Sequence, residues 1–384
     1  MAREPVTEPA NPLKEASDMW WAYGRKLPGF KEAFDIIRGG YRVEPSAPLE
    51  IEDSEFPRCE GERLASVLRT LEGLLDAGKL LGPFKPYSVP VKHFVTSFLV
   101  PKDGKVDEVG CQLYRFIVNG SKETLLSPAQ ADEVEGWIAR QDPARLRHTL
   151  SLRGGLEALV TTCKRELGLK TTLNDFLPKV PMQLDSAKEI IRGLKHCNYI
   201  GKIDLKKGFR QIVLHESSFD HLVVKIYMRA TPEQPWTEVW FKEVTAVMGL
   251  RPSPPEFNKI PALFVRMLVF HFRHYFVKGL LRGTKKRLDE EHGEDWDPET
   301  VAGQVVEATD PETARFDQEQ FDKDFLVRLV RHYLDDVVLG EESVKMAHLQ
   351  FHISLKFGEK RLKVEFNRKS WTSLTPFKSC WESG

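Results

Sequence analysis

The stretch "RHYLDDVVLG", residues 331–340, sets two aspartates side by side between apolar runs. Burying one carboxylate without a partner is costly, and two together repel. Successive side chains on a strand point to opposite faces, so adjacent acids address one site only at a hairpin turn. The flanking runs "FLVRLV" and "VVLG" read as the two strands of such a hairpin, with the acids at its turn. A turn of this kind can hold a divalent cation, which removes the cost of gathering carboxylates. The plainer reading is a solvated turn with no chemistry.

A cation site for chemistry needs a further acid from elsewhere in the chain. Asp204, in "YIGKIDLKKGFRQI", ends another predicted strand. Taken alone it is an N-cap for the turn that follows. Taken with Asp335 and Asp336, it gives two apolar strands that each end in Asp. That is the requirement of two-metal phosphoryl transfer, in which one ion acidifies the attacking hydroxyl and the other holds the triphosphate and leaving group. Asp, with a short stem and hard oxygens, suits Mg²⁺.

The elements that must position these residues are legible as patterns. Residues 1–60 read as a polar, partly disordered leader, with Pro clusters around one aromatic segment, "MWWAYGRKLPGFKEAFDIIRGGYRVEP". Leu64, Val67, Leu68, Leu71, Leu74 and Leu75 share one helical face, and Gly78 is a stop signal. "HFVTSFLVPKDG" reads as a strand ending in a Lys-Asp-Gly turn, with "QLYRFIVNG" as the return strand. Residues 124–168 read as a polar, mainly helical insertion. Ser186 and Glu189 form a capping box ahead of Ile190, Ile191 and Leu194. "HLVVKIYM" and "TEVWFKEV" alternate as two strands. Ser253 and Glu256 make a second capping box, opening an apolar helix that Pro261 should kink. The acidic stretch within about 274–325 reads as a solvated insertion. A helix over 341–357 closed by Gly358 and a final strand "RLKVEF" complete the pattern.

Composition sets outer limits. A chain of 384 residues, 41% hydrophobic and with 23 Phe, can build two or three subdomains. No apolar run reaches the roughly 18–20 residues that span a bilayer, and the polar N-terminus is no signal peptide. Cys59, Cys111, Cys163, Cys197 and Cys380 are scattered and form no CxxC pair. They are expected as free thiols in a reducing, intracellular compartment, without a zinc site; cytoplasm and nucleus are not distinguished. Net charge is zero, yet residues 285–325 sum to −9 and residues 1–60 to −4, leaving +13 on the rest. A basic body with acidic appendages suits a phosphate-backbone partner, and a dispersed solvated surface gives the same sum.

The motif residues resemble those of reverse transcriptases, closest to retroelement enzymes of the long-terminal-repeat type. Tyr333-Leu334-Asp335-Asp336 looks like the Y-x-D-D box. "KIDLKKGFRQI" is similar to the first palm motif, in which an aromatic follows the Asp by five residues, and "VMGLRPSPPEF" to the second. "LLDAGKL…SFLVPKDG…YRFIV" looks like the fingers, and "KVEFNRKSW" like the motif after the active-site hairpin. The likeness covers about residues 64–377. It implies an α+β right-hand palm, an antiparallel sheet backed by helices, over 201–384, with fingers over 61–200 and no complete thumb.

The resemblance implies an RNA-directed DNA polymerase, a nucleotidyltransferase that extends a primer on an RNA or DNA template with dNTPs and two Mg²⁺ ions, or Mn²⁺. Other regions of a retroelement polyprotein are implied partners, and a membrane is not. Asp204 and Asp335 would be the principal metal ligands, with Asp336 supporting the charge. Phe209 would be the steric gate against a 2′-hydroxyl, and Gly208 would let the backbone approach the nucleotide. Lys102 and Arg115 match the finger residues that clamp the triphosphate. Met248 and Gly249 match positions touching the incoming base and template, with Met where the family has Phe or Gln. Lys369 would be the general acid toward pyrophosphate.

The chain departs from the family in its two insertions, in "IVNGSKE" where "VDYRxLN" is usual, and in "TPFKSCWESG" where a primer-grip signature is usual. The insertions and the missing thumb favour an alternative, a catalytically decayed relative that only binds nucleic acid or a partner, and the retention of all three carboxylates disfavours it. A viral RNA-templated RNA polymerase shares the palm but usually carries Gly-Asp-Asp and lacks an aromatic gate.

Overall fold

A computed structural model of the chain describes residues 4–46, 56–106, 110, 112–119, 128–152, 155–169, 172–182, 184–247, 249–277, 280–367 and 375–376. In chain order its strands are β1 (Arg58–Glu60), β2 (Leu80–Phe84), β3 (Ser97–Val106), β4 (Gln112–Val118), β5 (Tyr199–Asp204), β6 (Val223–Arg229), β7 (Thr237–Glu243), β8 (Val330–Tyr333), β9 (Asp336–Glu341) and β10 (Thr375–Pro376). With the helices between them, this is a mixed α and β protein, consistent with an α+β class. The chain divides into two compact units, each built from several segments.

The first unit holds residues 1–8, 42–179 and 217–252. Its mixed sheet runs β1-β6-β7-β2, with β1 parallel to β6 and the other pairs antiparallel. β6 and β7 coincide with the alternating runs expected as strands. The helix Gly61–Asp76 buries Val67, Leu71, Leu74 and Leu75, and Gly78 follows it at φ +59°. β3 and β4 form a separate hairpin. The Lys-Asp-Gly run expected as its turn lies inside β3 instead. Gly104 at φ +62° takes up an irregularity there, and pairing resumes at Val106 opposite Gln112. Helices Pro128–Ala139, Pro143–Ser151 and Gly155–Leu167 occupy the region expected as a helical insertion.

The second unit holds residues 9–41, 180–216 and 253–384. Its antiparallel sheet runs β10-β5-β9-β8. The helix Ser253–His271 is apolar nearly all round, with Phe257, Ile260, Phe264, Met267 and Leu268 buried and Pro261 inside it. The capping box of Ser186 and Glu189 closes in both directions, at 3.2 and 2.6 Å. Of its expected apolar face only Leu194 is buried, while Ile191 is exposed.

Two stretches read as polar appendages are helical. Within the expected leader, Pro12–Glu15, Ser17–Gly24 and Phe30–Gly39 are helices. Trp20 is fully buried there, and its indole N–H donates to the Leu362 carbonyl at 3.0 Å. The acidic stretch expected as solvated forms helices Leu281–His292, Pro298–Ala308 and Gln318–Leu326. Pro298–Ala308 lies against Val344–Lys356 and buries Val301, Ala302 and Val306. Trp296 is buried, donates to Asp289 at 2.9 Å and carries the Lys345 ammonium 4.4 Å from its ring centroid.

Gly358 does not close the helix before it. A π-turn over Phe357–Arg361 runs through it, and a Cβ at 358 would lie 2.5 Å from the Phe366 ring. The close packing of Phe366 is what requires glycine there. The run "RLKVEF" is not a ladder strand; Phe366 makes a single bridge to Leu205.

Candidate active site

The site grows from two strand ends in the second unit. β5 and β9 pair antiparallel over six positions, from Tyr199 opposite Glu341 to Asp204 opposite Asp336. Cross-strand partners point to the same face of a sheet, so these two carboxylates share one face. β8 pairs with β9 from Val330 opposite Leu339 to Tyr333 opposite Asp336, leaving Leu334 and Asp335 as the turn. The acids were expected to form the turn together; Asp336 instead begins β9. Leu334 sits at φ +51°, the left-handed conformation that two-residue hairpin turns demand. For a non-glycine residue this costs roughly 1–2 kcal/mol, and such strain concentrates at functional sites.

Asp335 is tied to β5 through its backbone: its carbonyl accepts from the Leu205 N–H at 2.9 Å. Beyond Asp204, the chain meets residues 365–367. Lys206 N–H donates to the Glu365 carbonyl and Asn367 N–H to the Asp204 carbonyl, at 2.9 and 2.8 Å. The buried Gln211 side chain secures this junction. Its amide donates to the carbonyls of Lys206 and Glu365 at 3.0 and 2.7 Å, and its oxygen accepts from the Glu365 N–H at 3.0 Å.

Two further side chains engage the acids. Lys202, two residues before Asp204, places its ammonium 2.8 Å from Asp336 Oδ2. Asn367 donates from Nδ2 to Asp204 Oδ2 at 3.0 Å. The electrostatics record the crowding. Asp335 is raised above the ordinary carboxylate range, chiefly by burial, with the Asp336 and Asp204 charges adding and its own backbone N–H and Lys202 opposing. Lys202 is raised by its hydrogen bond to Asp336 and by the charges of all three aspartates, against the opposing effect of burial.

Gly208 and Phe209 follow on a short 3₁₀ turn, Gly208–Gln211, entered through Lys207 at φ +51°. A Cβ on Gly208 would lie 2.9 Å from the Phe257 ring and 3.0 Å from the Asp335 Cβ. The Phe209 ring packs on Phe257 with centroids 4.8 Å apart. Asp204, Asp335, Asp336, Gly208 and Phe209 are therefore assembled in one unit.

The remaining candidates lie elsewhere. Lys102 and Arg115 stand on the β3–β4 hairpin of the first unit, Arg115 opposite Val100. Gly249, also in the first unit, is at φ +85°. The Asn174 side chain clasps its loop, donating to the Gly249 carbonyl and accepting from the Arg251 N–H, both at 2.6 Å. Met248 and Lys369 lie outside the described residues.

As a donor set, three aspartates crowded at one sheet end fit a hard divalent cation. Yet among the described residues no group of three or more His, Cys, Asp or Glu side chains is already drawn together as a metal cage. Asp336 is engaged by Lys202 and Asp204 by Asn367. Cys59, Cys163 and Cys197 are buried and not joined in a disulfide among the described residues, while Cys111 and Cys380 lie outside the described residues. Among the described residues no helix is long and apolar enough to cross a membrane.

Lys202, Asn367, Gln211 and Asn174 were not singled out from the sequence. Lys202 carried a signal, since its spacing of two from Asp204 sets both on one strand face. The others carried none, because their partners, apart from Lys206 for Gln211, are remote in the chain.

In comparisons with known proteins, no family model and no curated protein matches the chain. The likeness to reverse transcriptases rests on the motif residues quoted above.

Proposed function

We propose that the chain is a retroelement-type RNA-directed DNA polymerase core, with a right-hand palm in the second unit, adding deoxynucleotides to a primer on an RNA or DNA template. The observation that carries this reading is the register of β5 and β9, which sets Asp204 opposite Asp336 with Asp335 in the adjoining turn. Asp204 and Asp335 would hold Mg²⁺ or Mn²⁺, with Asp336 supporting the charge. Ions held there would supply Lewis-acid chemistry to the attacking 3′-hydroxyl and the pyrophosphate leaving group. Phe209, backed by Phe257, would lie under the sugar and reject a 2′-hydroxyl. Gly208 supports the reading because the turn beside Asp335 leaves no room for a side chain.

The test is primer extension on an RNA template with dNTPs and Mg²⁺. Asp335→Asn removes one charge while keeping shape, and it should abolish extension. Undiminished extension by that variant overturns the reading.

A second reading is a decayed relative that binds nucleic acid without turnover. It is favoured by the engagement of two of the three carboxylates by Lys202 and Asn367. Its signature is strongly salt-dependent binding of primer–template with no Mg²⁺-dependent extension by the wild-type chain.

A further inference from the structure

We infer that Lys202 is an internal counter-cation for the carboxylate cluster, a latch that a divalent ion must displace before the site can be loaded. The inference rests on reading Asp204, Asp335 and Asp336 as a cation site, and it names what regulates entry to that site.

Three carboxylates meet at one end of the β5–β9–β8 sheet, and mutual repulsion there requires compensation. Among the described residues, the Lys202 ammonium pairs with this cluster, 2.8 Å from Asp336 Oδ2. Its placement follows from topology. Position 202 is opposite Val338 and position 204 opposite Asp336, so Lys202 and Asp204 share a strand face and the lysine reaches diagonally to Asp336. The pairing engages one oxygen of Asp336 with the ammonium.

A dication approaching this cluster meets two obstacles. It must take Asp336 away from the ammonium, and it must sit near a fixed positive charge. Lys202 is about half exposed (51%), so its stem can swing out once Asp336 is taken, and solvent screening keeps the barrier modest. The latch therefore weakens ion binding without forbidding it, and it holds the cluster together while no ion is bound.

The experiment titrates Mn²⁺ into the full chain, reading free Mn²⁺ by electron paramagnetic resonance. It compares wild type with Lys202→Met, which keeps the stem and loses the charge, Lys202→Arg, which keeps the charge, and Asp335→Asn. Lys202→Met should bind Mn²⁺ about three- to tenfold more tightly than wild type at low salt, the gap closing as ionic strength rises. Lys202→Arg should bind like wild type, and Asp335→Asn should lose the site. In chelator, Lys202→Met should melt below wild type and regain more on addition of Mn²⁺ than wild type does. Equal or weaker Mn²⁺ binding by a folded Lys202→Met, while Asp335→Asn still loses the site, overturns the latch alone. Absence of any Mn²⁺ site that Asp335→Asn removes, in wild type and Lys202→Met alike, overturns the cation-site reading and the latch together.

Discussion

A Cβ placed on Gly208 would come within 3.0 Å of the Cβ of Asp335. The two residues belong to different sequence motifs, yet the backbone of one is packed against the side chain of the other. On the other side, the Phe257 ring at 2.9 Å closes the space. Gly208→Ala must displace either the ring or the turn that presents Asp335. Overpacking of this kind costs about 1–3 kcal/mol, which urea denaturation will read as a lowered midpoint at unchanged slope. Loss of primer extension should accompany it. A variant as stable and as active as wild type would show that this contact has no bearing on the site.

Asp335→Asn separates stability from chemistry. Burial and the two neighbouring carboxylates raise Asp335, so its charge opposes folding. Below its ordinary range the folded and unfolded chains both hold it protonated, and the cost of the charge appears as pH rises through the raised value. At pH 7 the Asn variant should therefore melt at or above the wild-type temperature while extending no primer. A large drop in melting temperature would mean that the carboxylate contributes a structural contact as well.

Glu341, at the far end of β9, gives a sharper pH signature. Burial pushes its carboxyl from the usual 4.5 up to about 7, and Gln350 donates to it at 2.9 Å. The favourable contribution of the protonated form is fully present below 4.5 and is lost as pH rises through 7. The full span corresponds to about 3 kcal/mol. Glu341→Gln should stabilise the chain relative to wild type at pH 8, with no gain at pH 4.5, in thermal melts across that range.

Trp296→Ala tests whether the acidic stretch is part of the fold. The indole is buried, hydrogen-bonded to Asp289 and covered by Lys345. Truncating such a residue costs about 3–5 kcal/mol. A solvated insertion would lose almost nothing, so equilibrium unfolding distinguishes the two outcomes.

Phe209→Val tests the proposed gate. Removing the ring that packs on Phe257 opens space where a 2′-hydroxyl would lie. The preference for dNTP over rNTP, measured as a ratio of kcat/KM values, should fall by about ten- to a hundredfold. An unchanged ratio would leave Phe209 as a core residue only.

The hairpin of β8 and β9 was legible because its apolar runs are short and flank two acidic residues. The position of its turn was not, because primed-turn chemistry usually announces itself through Asn or Gly, and here Leu334 takes the left-handed position. Lys-Asp-Gly misled for the converse reason: Gly104 serves an irregularity within β3. In the acidic stretch, Leu288, Trp296, Val301, Ala302, Val306 and Phe321 are buried but thinly spread among acids. Charge counting outweighed their helical spacing. The same dilution concealed Trp20 and Tyr23 near the N-terminus, both buried. At the site, the aspartates were legible by type and strand-end position. Asn367 was not, since it reaches Asp204 across a separation of 163 residues that no local pattern encodes.

The sheet that bears the aspartates ends on one side in β10, two residues long, of which Pro376 has no N–H to offer. On the other side, the start of β8 is overlaid by the Val277–Arg328 bridge, with the Leu329 N–H donating to the Phe276 carbonyl at 3.1 Å. Among the described residues, an added strand would meet a proline at the β10 margin and an occupied approach to β8 at the other. Edge-to-edge polymerisation, the common hazard of open sheets, is thereby confined to short ladders of at most the four residues of β8 among the described residues.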